Sequence, residues 1–283
     1  RRVGYTEATR GCKHLCRHCP VVPVYEGTFR VVQPEVVLAD IRQQVAAGAE
    51  HITFGDPDFF NGPAHAARLA RALHEEFPAL TYDVTVKIEH LRRHAALLPL
   101  LKETGCLFVT SAVETLDDAV LARLRKGHTR ADFIEVAQRF REVPLVLSPT
   151  FIPFTPWTSR EDYLDLLRTI AGLELVDQVA PIQLALRLLA PAGSRLLELE
   201  DFRRLATEFD PAALVWRWKH PDPSVDELAA QVLRLVAREQ KPGRSRREIF
   251  ARIWDLAGAG ALPPDFHLTA RAAIPFLEEP WFC

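Results

Sequence analysis

Three cysteines near the start of the chain have the residue type and the spacing for binding a metal. Cys12, Cys16 and Cys19 form the pattern C-x3-C-x2-C within the segment RGCKHLCRHCP. Their thiolates can wrap one face of an iron–sulfur cube and place a sulfur on each of three irons. Such clusters usually take four cysteines, but the other two, Cys106 and Cys283, are distant in the sequence. We therefore expect a fourth iron open to an outside ligand, like the open position of a catalytic metal site.

Two other interpretations of these cysteines remain open. A zinc site needs a fourth nitrogen or sulfur ligand, which His14 or His18 would have to supply from within the same tight loop. A disulfide with one spare thiol would require an oxidising compartment. Metal analysis separates the possibilities, because stoichiometric zinc without iron or sulfide would indicate a structural module rather than an enzyme.

The cysteine motif resembles that of the radical SAM superfamily, with His18 at the position before the last cysteine, where that family often has an aromatic residue. The resemblance covers roughly the first two-thirds of the chain. It implies a 4Fe–4S cluster on Cys12, Cys16 and Cys19, with S-adenosylmethionine (SAM) on the open iron. It further implies cleavage of SAM to methionine and a 5′-deoxyadenosyl radical, which abstracts hydrogen from an unidentified small-molecule or peptide substrate. A methyl or methylthio transfer is the enzymatic alternative, and an electron donor such as flavodoxin or ferredoxin is expected.

The resemblance also implies cofactor-binding residues at the ends of the predicted strands. Gly55 and Asp56 stand where the family often binds the SAM amino group with a Gly-Gly-Glu-type turn, although Asp replaces Glu here. An ordinary turn is the competing interpretation, since Gly-Asp-Pro is good turn chemistry. The further candidates for binding SAM or its surroundings are His18, Lys87, Ser111, Glu114, Gln183 and Arg187. For these residues the alternative interpretations are helix capping, solvent exposure or a surface ion pair.

Apolar periodicity predicts that strand and helix alternate about six times up to residue 186. The first predicted strand covers residues 3–9, a single helix covers 91–103, and the sixth strand covers 176–186. Alternation of this kind indicates parallel strands with right-handed crossovers. We predict an α/β fold, a partial (β/α)6 barrel over residues 1–192, with its active site at the carboxyl ends of the strands. Residues 193–283 are predicted to form a mainly helical extension, including a helix over 194–209.

Composition narrows the class of protein. The 283 residues carry a formal net charge of −2, which offers no argument for binding nucleic acid or an anionic membrane. No apolar run has the length of a spanning helix. Five cysteines, three of them clustered, favour a reducing cytoplasm. We expect a cytoplasmic protein without nucleic-acid or membrane partners.

The end of the chain carries a second resemblance. The last six residues, EEPWFC, are similar to the tail of a radical SAM group named for a terminal Cys-Cys or Cys-selenocysteine followed by Ala-Glu-Pro. In that group Cys283 would be the first residue of the tail, and the protein would be a possible selenoprotein. Adjacent thiol and selenol groups suit redox exchange. The resemblance therefore implies a catalytic role for Cys283, against the alternative of an ordinary terminal cysteine.

Overall fold

A computed structural model describes residues 2–240 and 244–262 of the chain. This part divides into two compact units, each built from several separate segments. The first unit comprises the residues up to Leu15 together with Val21–Ala112 and Ala131–Ser148. The second comprises Cys16–Pro20, Val113–Arg130 and the described residues from Pro149 onward.

Five strands form the main sheet, in the order β1-β4-β5-β6-β7. The pairings of β1 with β4, β4 with β5, and β5 with β6 are parallel. Two small antiparallel sheets join β2 to β3 and β8 to β9. The strands are β1 Val3–Thr6, β2 Thr9–Gly11, β3 Phe29–Val31, β4 His51–Phe54, β5 Thr81–Thr85, β6 Cys106–Glu114, β7 Val146–Phe151, β8 Ala206–Asp210 and β9 Val215–Trp218.

Helices connect the strands of the main sheet. Short 3₁₀ turns lie at Phe59–Asn61, Ala95–Leu97, Pro181–Leu184 and Arg195–Glu198. The α-helices are α1 Val22–Tyr25, α2 Pro34–Ala46, α3 Pro63–Glu76, α4 Ile88–Arg93, α5 Leu98–Glu103, α6 Asp118–Leu124, α7 Arg130–Glu142, α8 Arg160–Gly172, α9 Glu200–Leu205, α10 Pro223–Glu239 and α11 Arg246–Ala257. No helix among these described residues is both long and apolar enough to cross a membrane.

Each unit has its own apolar core. In the first, the central strands contribute Ile52, Tyr82, Val84 and Val109, all fully buried. Burial of successive residues is typical of parallel strands covered on both faces. In the second unit, one cluster of buried apolar side chains consists of Val120, Leu124, Leu188, Ala190, Leu196, Phe202 and Trp218.

Strand β1 lies at one edge of the main sheet, and a side chain from α2 covers part of its free backbone. Gln44 accepts a hydrogen bond from the Tyr5 backbone N–H through Oε1 and donates one to the Tyr5 carbonyl through Nε2, both at 2.8 Å. The Gln44 amide therefore occupies the place where a sixth strand would pair. Gly4 leaves room for it, because a Cβ there would lie 2.2 Å from Gln44 Oε1.

The predicted α/β class with parallel strands is confirmed, but the sixth strand over residues 176–186 is wrong. Pro181 begins a 3₁₀ turn there, and the backbone N–H of Gln183 bonds to the Ala180 carbonyl. Proline has no N–H to donate to a sheet. The only trace of a sixth strand in the described chain is an isolated parallel bridge between Phe154 and Arg187.

Three other boundaries also differ from the prediction. The first strand ends at Thr6, and β2 follows it as part of a separate antiparallel ladder. The single helix over 91–103 is divided between α4 and α5, because Pro99 lies in the first turn of α5, where proline is tolerated, and would break a continuous helix. The helix over 194–209 ends at Leu205, after which β8 pairs with β9.

Candidate active site

The cysteine motif lies in the segment between β2 and β3, and its first residue belongs to the first compact unit. Cys12 is buried, and its Sγ lies 3.8 Å from the Asn61 side-chain oxygen. Asn61 also donates to the Gly11 carbonyl at 3.3 Å, and Lys13 Nζ donates to the Asn61 carbonyl at 3.3 Å. The turn after β4 therefore holds the start of the loop. Burial raises the pKa of the Cys12 thiol, so a bound cation is needed to keep it as the thiolate that ligates metals.

Cys16 and Cys19 belong to the second unit, where they form a tight turn. The backbone N–H of Cys19 donates to the Cys16 carbonyl at 3.2 Å. Lys126 is buried near both. Burial works against its charge, but Glu114 and then the two cysteines favour it, so the net pKa of Lys126 is raised. A permanent ammonium close to two thiols would offset the negative charge of a thiolate-bound cluster.

Glu114 links the cysteine turn to this lysine. Its Oε1 lies 2.9 Å from His18 Nε2 and accepts a hydrogen bond from Lys126 Nζ at 3.0 Å. Burial alone would raise the pKa of Glu114, but Lys126 and His18 outweigh it and hold that pKa below its usual range. All three side chains are at most one-tenth exposed. They form a charge-assisted network inside the second unit.

The backbone at Glu114 is unusual for a residue with a side chain. Its φ is +72°, at the end of β6, while its carbonyl accepts a hydrogen bond from Ile152 N–H at 2.7 Å. Left-handed conformations are uncommon outside glycine and cluster at functional positions. The turn directs the Glu114 carboxylate to His18 and Lys126.

Gly55 and Asp56 follow β4 in the first unit, and the structure gives each a local partner. A Cβ at Gly55 would lie 1.8 Å from the Tyr5 hydroxyl oxygen, so a larger residue there would require the exposed Tyr5 ring to move. The buried Asp56 carboxylate accepts hydrogen bonds from the Ala8 N–H at 2.9 Å and the Thr9 hydroxyl at 2.6 Å. It thereby holds the chain between β1 and β2, which leads into the cysteine motif.

Lys87 follows β5, and Ser111 lies within the neighbouring strand β6, both in the first unit. Lys87 is 7% exposed, and its Nζ lies 3.4 Å from Glu89 Oε2. Ser111 is fully buried, and its hydroxyl has no hydrogen-bond partner among the described residues. An orphaned buried hydroxyl is a polar group available to a ligand.

Gln183 and Arg187 are occupied elsewhere in the second unit. Gln183 Oε1 accepts a hydrogen bond from the Phe151 N–H at 3.1 Å. The Arg187 guanidinium pairs with Asp226 and lies 4.1 Å from the centre of the Trp218 ring. These contacts account for both side chains without a cofactor. Cys283 lies outside the described residues.

Sequence reasoning missed two contributors to this region, Asn61 and Lys126. Asn61 ends the 3₁₀ turn Phe59–Asn61 in the segment that follows β4, and barrel enzymes commonly carry functional side chains in such segments. That signal was available in the sequence. Lys126 follows the left-handed Arg125 at the end of α6, and no spacing in the sequence marks it as a neighbour of the cysteines.

Comparison with known proteins gives the class of this protein. The family model for the radical SAM superfamily matches residues 6–170, more than half of the chain. The chain therefore belongs to the radical SAM superfamily, whose members are enzymes that use a 4Fe–4S cluster and SAM. The predicted membership, enzyme class and cofactors are thereby confirmed.

The curated relatives of known activity match this chain over only part of their own length. The chain is 28% identical over 192 residues to the ribosomal protein uS12 methylthiotransferase RimO of Porphyromonas gingivalis strain W83, covering 61% of this chain and 42% of that protein. It is 28% identical over 199 residues to the tRNA-2-methylthio-N(6)-dimethylallyladenosine synthase of Desulfosudis oleivorans, covering 67% of this chain and 42% of that protein. The chain thus spans less than half the length of these relatives.

Solved structures share the fold. The cobalamin-dependent SAM radical enzyme OxsB superposes with a TM-score of 0.69 at 13% identity, over 90% of this chain and 45% of that one. The radical SAM methyltransferase TsrM of Kitasatospora setae, with cobalamin and a [4Fe-4S] cluster bound, superposes with a TM-score of 0.56 at 17% identity, over 98% and 53%. At these identities the likeness supports the partial barrel fold alone.

Proposed function

We propose that this chain holds its cluster with Cys12, Cys16 and Cys19 and leaves the fourth iron for SAM. The observation that carries the proposal is the motif of three cysteines, two of which lie beside the buried Lys126 ammonium. The three cysteines are suitable donors for a 4Fe–4S cluster, because thiolates are the ligands of iron–sulfur clusters. A buried cation at such a site offsets the thiolate charge instead of competing for the metal.

The cluster, when bound and reduced, supplies the electron that cleaves SAM to methionine and a 5′-deoxyadenosyl radical. The residues of the chain bind and orient the cofactors and exclude water from the site, as is usual when a cofactor carries the difficult chemistry. Glu114 fixes His18 and Lys126 against the cysteine turn. Asp56 fixes the segment that precedes Cys12. The reaction proposed is abstraction of hydrogen from a small-molecule or peptide substrate.

We propose that SAM itself contacts Gly55, Asp56, Lys87 and Ser111. The Asp56 carboxylate oxygens each retain acceptor capacity for an ammonium group after bonding Ala8 and Thr9. The unpartnered Ser111 hydroxyl supports a polar ligand near the end of β6. Gln183 and Arg187 have internal contacts that argue for structural roles, so we leave these two candidates out of the proposed SAM site.

A second candidate function is the transfer of a methyl or methylthio group. The observation that favours it is that the curated relatives named above are methylthiotransferases. Product analysis distinguishes the two reactions: 5′-deoxyadenosine with an unmethylated product supports hydrogen abstraction, whereas a methylated or methylthiolated product supports transfer. A nucleic-acid or ribosomal substrate would overturn the expectation of no nucleic-acid partner.

Three further expectations complete the proposal. The barrel is assigned to residues 1–192 and the mainly helical extension to residues 193–283. The reductant is an external electron donor such as flavodoxin or ferredoxin. The protein is proposed to act in the cytoplasm, where reduced thiols and iron–sulfur clusters persist.

Replacing the three motif cysteines tests the assignment. We expect Cys12→Ala, Cys16→Ala and Cys19→Ala, singly and together, to abolish both the 4Fe–4S signal and reductive SAM cleavage after anaerobic reconstitution. Cys106→Ala is the matched control, because the buried Cys106 thiol donates a hydrogen bond to the Phe108 carbonyl. We expect this variant to retain the iron and sulfide content of the wild type. A triple variant with near-normal iron and sulfide would contradict the proposal.

A further inference from the structure

Three side chains of the first compact unit converge beside the start of the cysteine motif. His14 comes from the motif loop, Asp58 follows β4, and His90 lies on α4 after β5. One potential ligand atom from each lies within 4.8 Å of the others. Asp58 and His90 are fully buried, and the His14 side chain is 16% exposed.

The Asp58 carboxylate is only half satisfied. Its Oδ1 accepts a hydrogen bond from Phe60 N–H at 3.1 Å and so caps the 3₁₀ turn. Its Oδ2 lies 2.6 Å from His90 Nδ1 and 3.7 Å from His14 Nε2, yet has no hydrogen-bond partner among the described residues. A bare carboxylate oxygen in a dry interior is strongly unfavourable unless a cation or a donor meets it.

The imidazoles are also unsatisfied. Both ring nitrogens of His90 and Nε2 of His14 lack hydrogen-bond partners within the described chain. The short distance between His90 Nδ1 and Asp58 Oδ2 is not aligned for a hydrogen bond, so the pair does not satisfy itself. One potential ligand atom from each of the three side chains therefore lies in the same small volume without a hydrogen-bond partner in the described chain.

A second buried pair in the same unit shows what a structural arrangement looks like. His51 is 3% exposed, and its Nε2 is hydrogen-bonded to Asp83 Oδ1 at 2.9 Å. Its Nδ1 is hydrogen-bonded to the Thr81 hydroxyl at 2.8 Å. Both nitrogens of His51 have partners, in contrast to those of His90.

We propose that His14, Asp58 and His90 bind a divalent transition-metal ion of the Fe²⁺-to-Zn²⁺ series, separate from the iron–sulfur cluster. Two imidazoles and one carboxylate form the donor set of many zinc and non-haem iron sites and leave positions for other ligands. Glu89 Oε2, 3.8 Å from His14 Nδ1, is placed to orient the ligating ring from behind. The ion ties the motif loop to the turn after β4 and to α4. This inference goes beyond the proposed function and does not rest on it.

Zinc is the probe for the test, used on the full chain after anaerobic cluster reconstitution, so that the thiols are already occupied. We expect one zinc per chain after desalting, in addition to the cluster iron. Zinc X-ray absorption should show nitrogen and oxygen neighbours at about 2.0–2.1 Å with imidazole scattering, and no sulfur at about 2.3 Å. The variant lacking all three motif cysteines should retain this zinc, which separates the metal site from the cluster assignment.

Variants identify the ligands. Asp58→Asn keeps the side-chain shape and an oxygen for the Phe60 N–H, so we expect it to lower zinc affinity at least tenfold while iron and sulfide stay unchanged. His90→Gln should do the same. His51→Gln is the matched control and should retain zinc. Sulfur neighbours in the wild-type spectrum, no retained zinc, or zinc binding unaltered in Asp58→Asn would each overturn the proposal, and the wild-type spectrum decides even if a variant fails to fold.

Discussion

Asp56 shows how burial and hydrogen bonding oppose each other at a single carboxyl. Burial raises the pKa of Asp56, and the hydrogen bonds from Thr9 and Ala8 lower it in part, so that it reaches about 6. An unfolded aspartate titrates near 3.9. An acid whose pKa is higher in the folded chain stabilises the fold most at low pH, and that contribution is lost as the pH rises through the folded pKa.

Asp56→Asn should therefore remove part of the pH dependence of stability. For the wild-type chain without its cluster, we expect the Asp56 contribution to the free energy of unfolding to fall by about 1 kcal/mol between pH 5 and pH 7. Urea unfolding at both pH values measures it. The asparagine variant should show a correspondingly smaller fall, and identical pH profiles for the two chains would contradict the raised pKa.

Lys126 is expected to tune the reduction potential of the cluster. Potentials of iron–sulfur clusters depend on net charge and on hydrogen bonds around them, and a loss of about 1 kcal/mol of electrostatic stabilisation corresponds to about 40 mV for one electron. Lys126→Met should shift the midpoint potential to more negative values by about this amount, as measured by EPR-monitored titration.

The control for Lys126→Met removes the opposite charge as well. In Glu114→Gln/Lys126→Met neither buried charge remains, so the potential should return toward the wild-type value. If Lys126→Met has the wild-type potential, the field of Lys126 does not reach the cluster.

Individual elements were predictable where local chemistry determines them. Asp117 accepts hydrogen bonds from the N–H groups of Ala119 and Val120 and caps the start of α6. Ser159 and Asp162, three positions apart, form a capping box at the start of α8. Caps depend on residues only three positions apart, so one sequence is enough to find them.

Elements that depend on distant contacts were not predictable to the same degree. Residues 206–209 fall within the predicted helix over 194–209, yet residues 206–210 form a strand because β9 pairs with them. The turn between these strands is stabilised by Asp210, whose Oδ1 accepts hydrogen bonds from Ala212 and Ala213. Tertiary pairing overrides local propensity in such segments.

The capping box on α8 provides a test at the scale of one helix. Ser159→Ala removes the acceptor for the Asp162 N–H and the hydroxyl that bonds its carboxylate. We expect it to lower the unfolding free energy of α8 by about 1 kcal/mol, measured by native-state hydrogen exchange of its amides. Ser159→Asn is the control, because asparagine is a good N-cap. Equal protection in both variants would show that packing alone holds this end.

At the scale of the whole molecule, sequence alone could supply the class but not the reaction. Three cysteines that are close in the sequence predict a cluster site, because their spacing can be read from the sequence without knowing the fold. The roles of Lys126, His90 and Asp58 could not be inferred, since they depend on segments brought together by the fold. The curated relatives are more than twice as long as the segment that each shares with this chain.

The terminal Cys283 carries a prediction of its own. If the tail resemblance holds, Cys283→Ala should leave cluster content and uncoupled SAM cleavage intact while lowering product formation. A fourth thiolate on the open iron would displace SAM, so this cysteine is a poor cluster ligand. Iron analysis and product assays measure the two effects. Loss of the 4Fe–4S signal would make Cys283 a ligand, and full activity would make it a bystander.

The pairing of Gln44 with the edge of the sheet has a consequence for how this protein behaves at high concentration. An exposed edge strand offers free N–H and C=O groups that recruit strands from other molecules and seed aggregates. The Gln44 amide already bonds both the N–H and the carbonyl of Tyr5. These two backbone groups at the centre of β1 are therefore not free to pair with a strand of another molecule. A single side chain thus acts against self-association at this edge of the sheet.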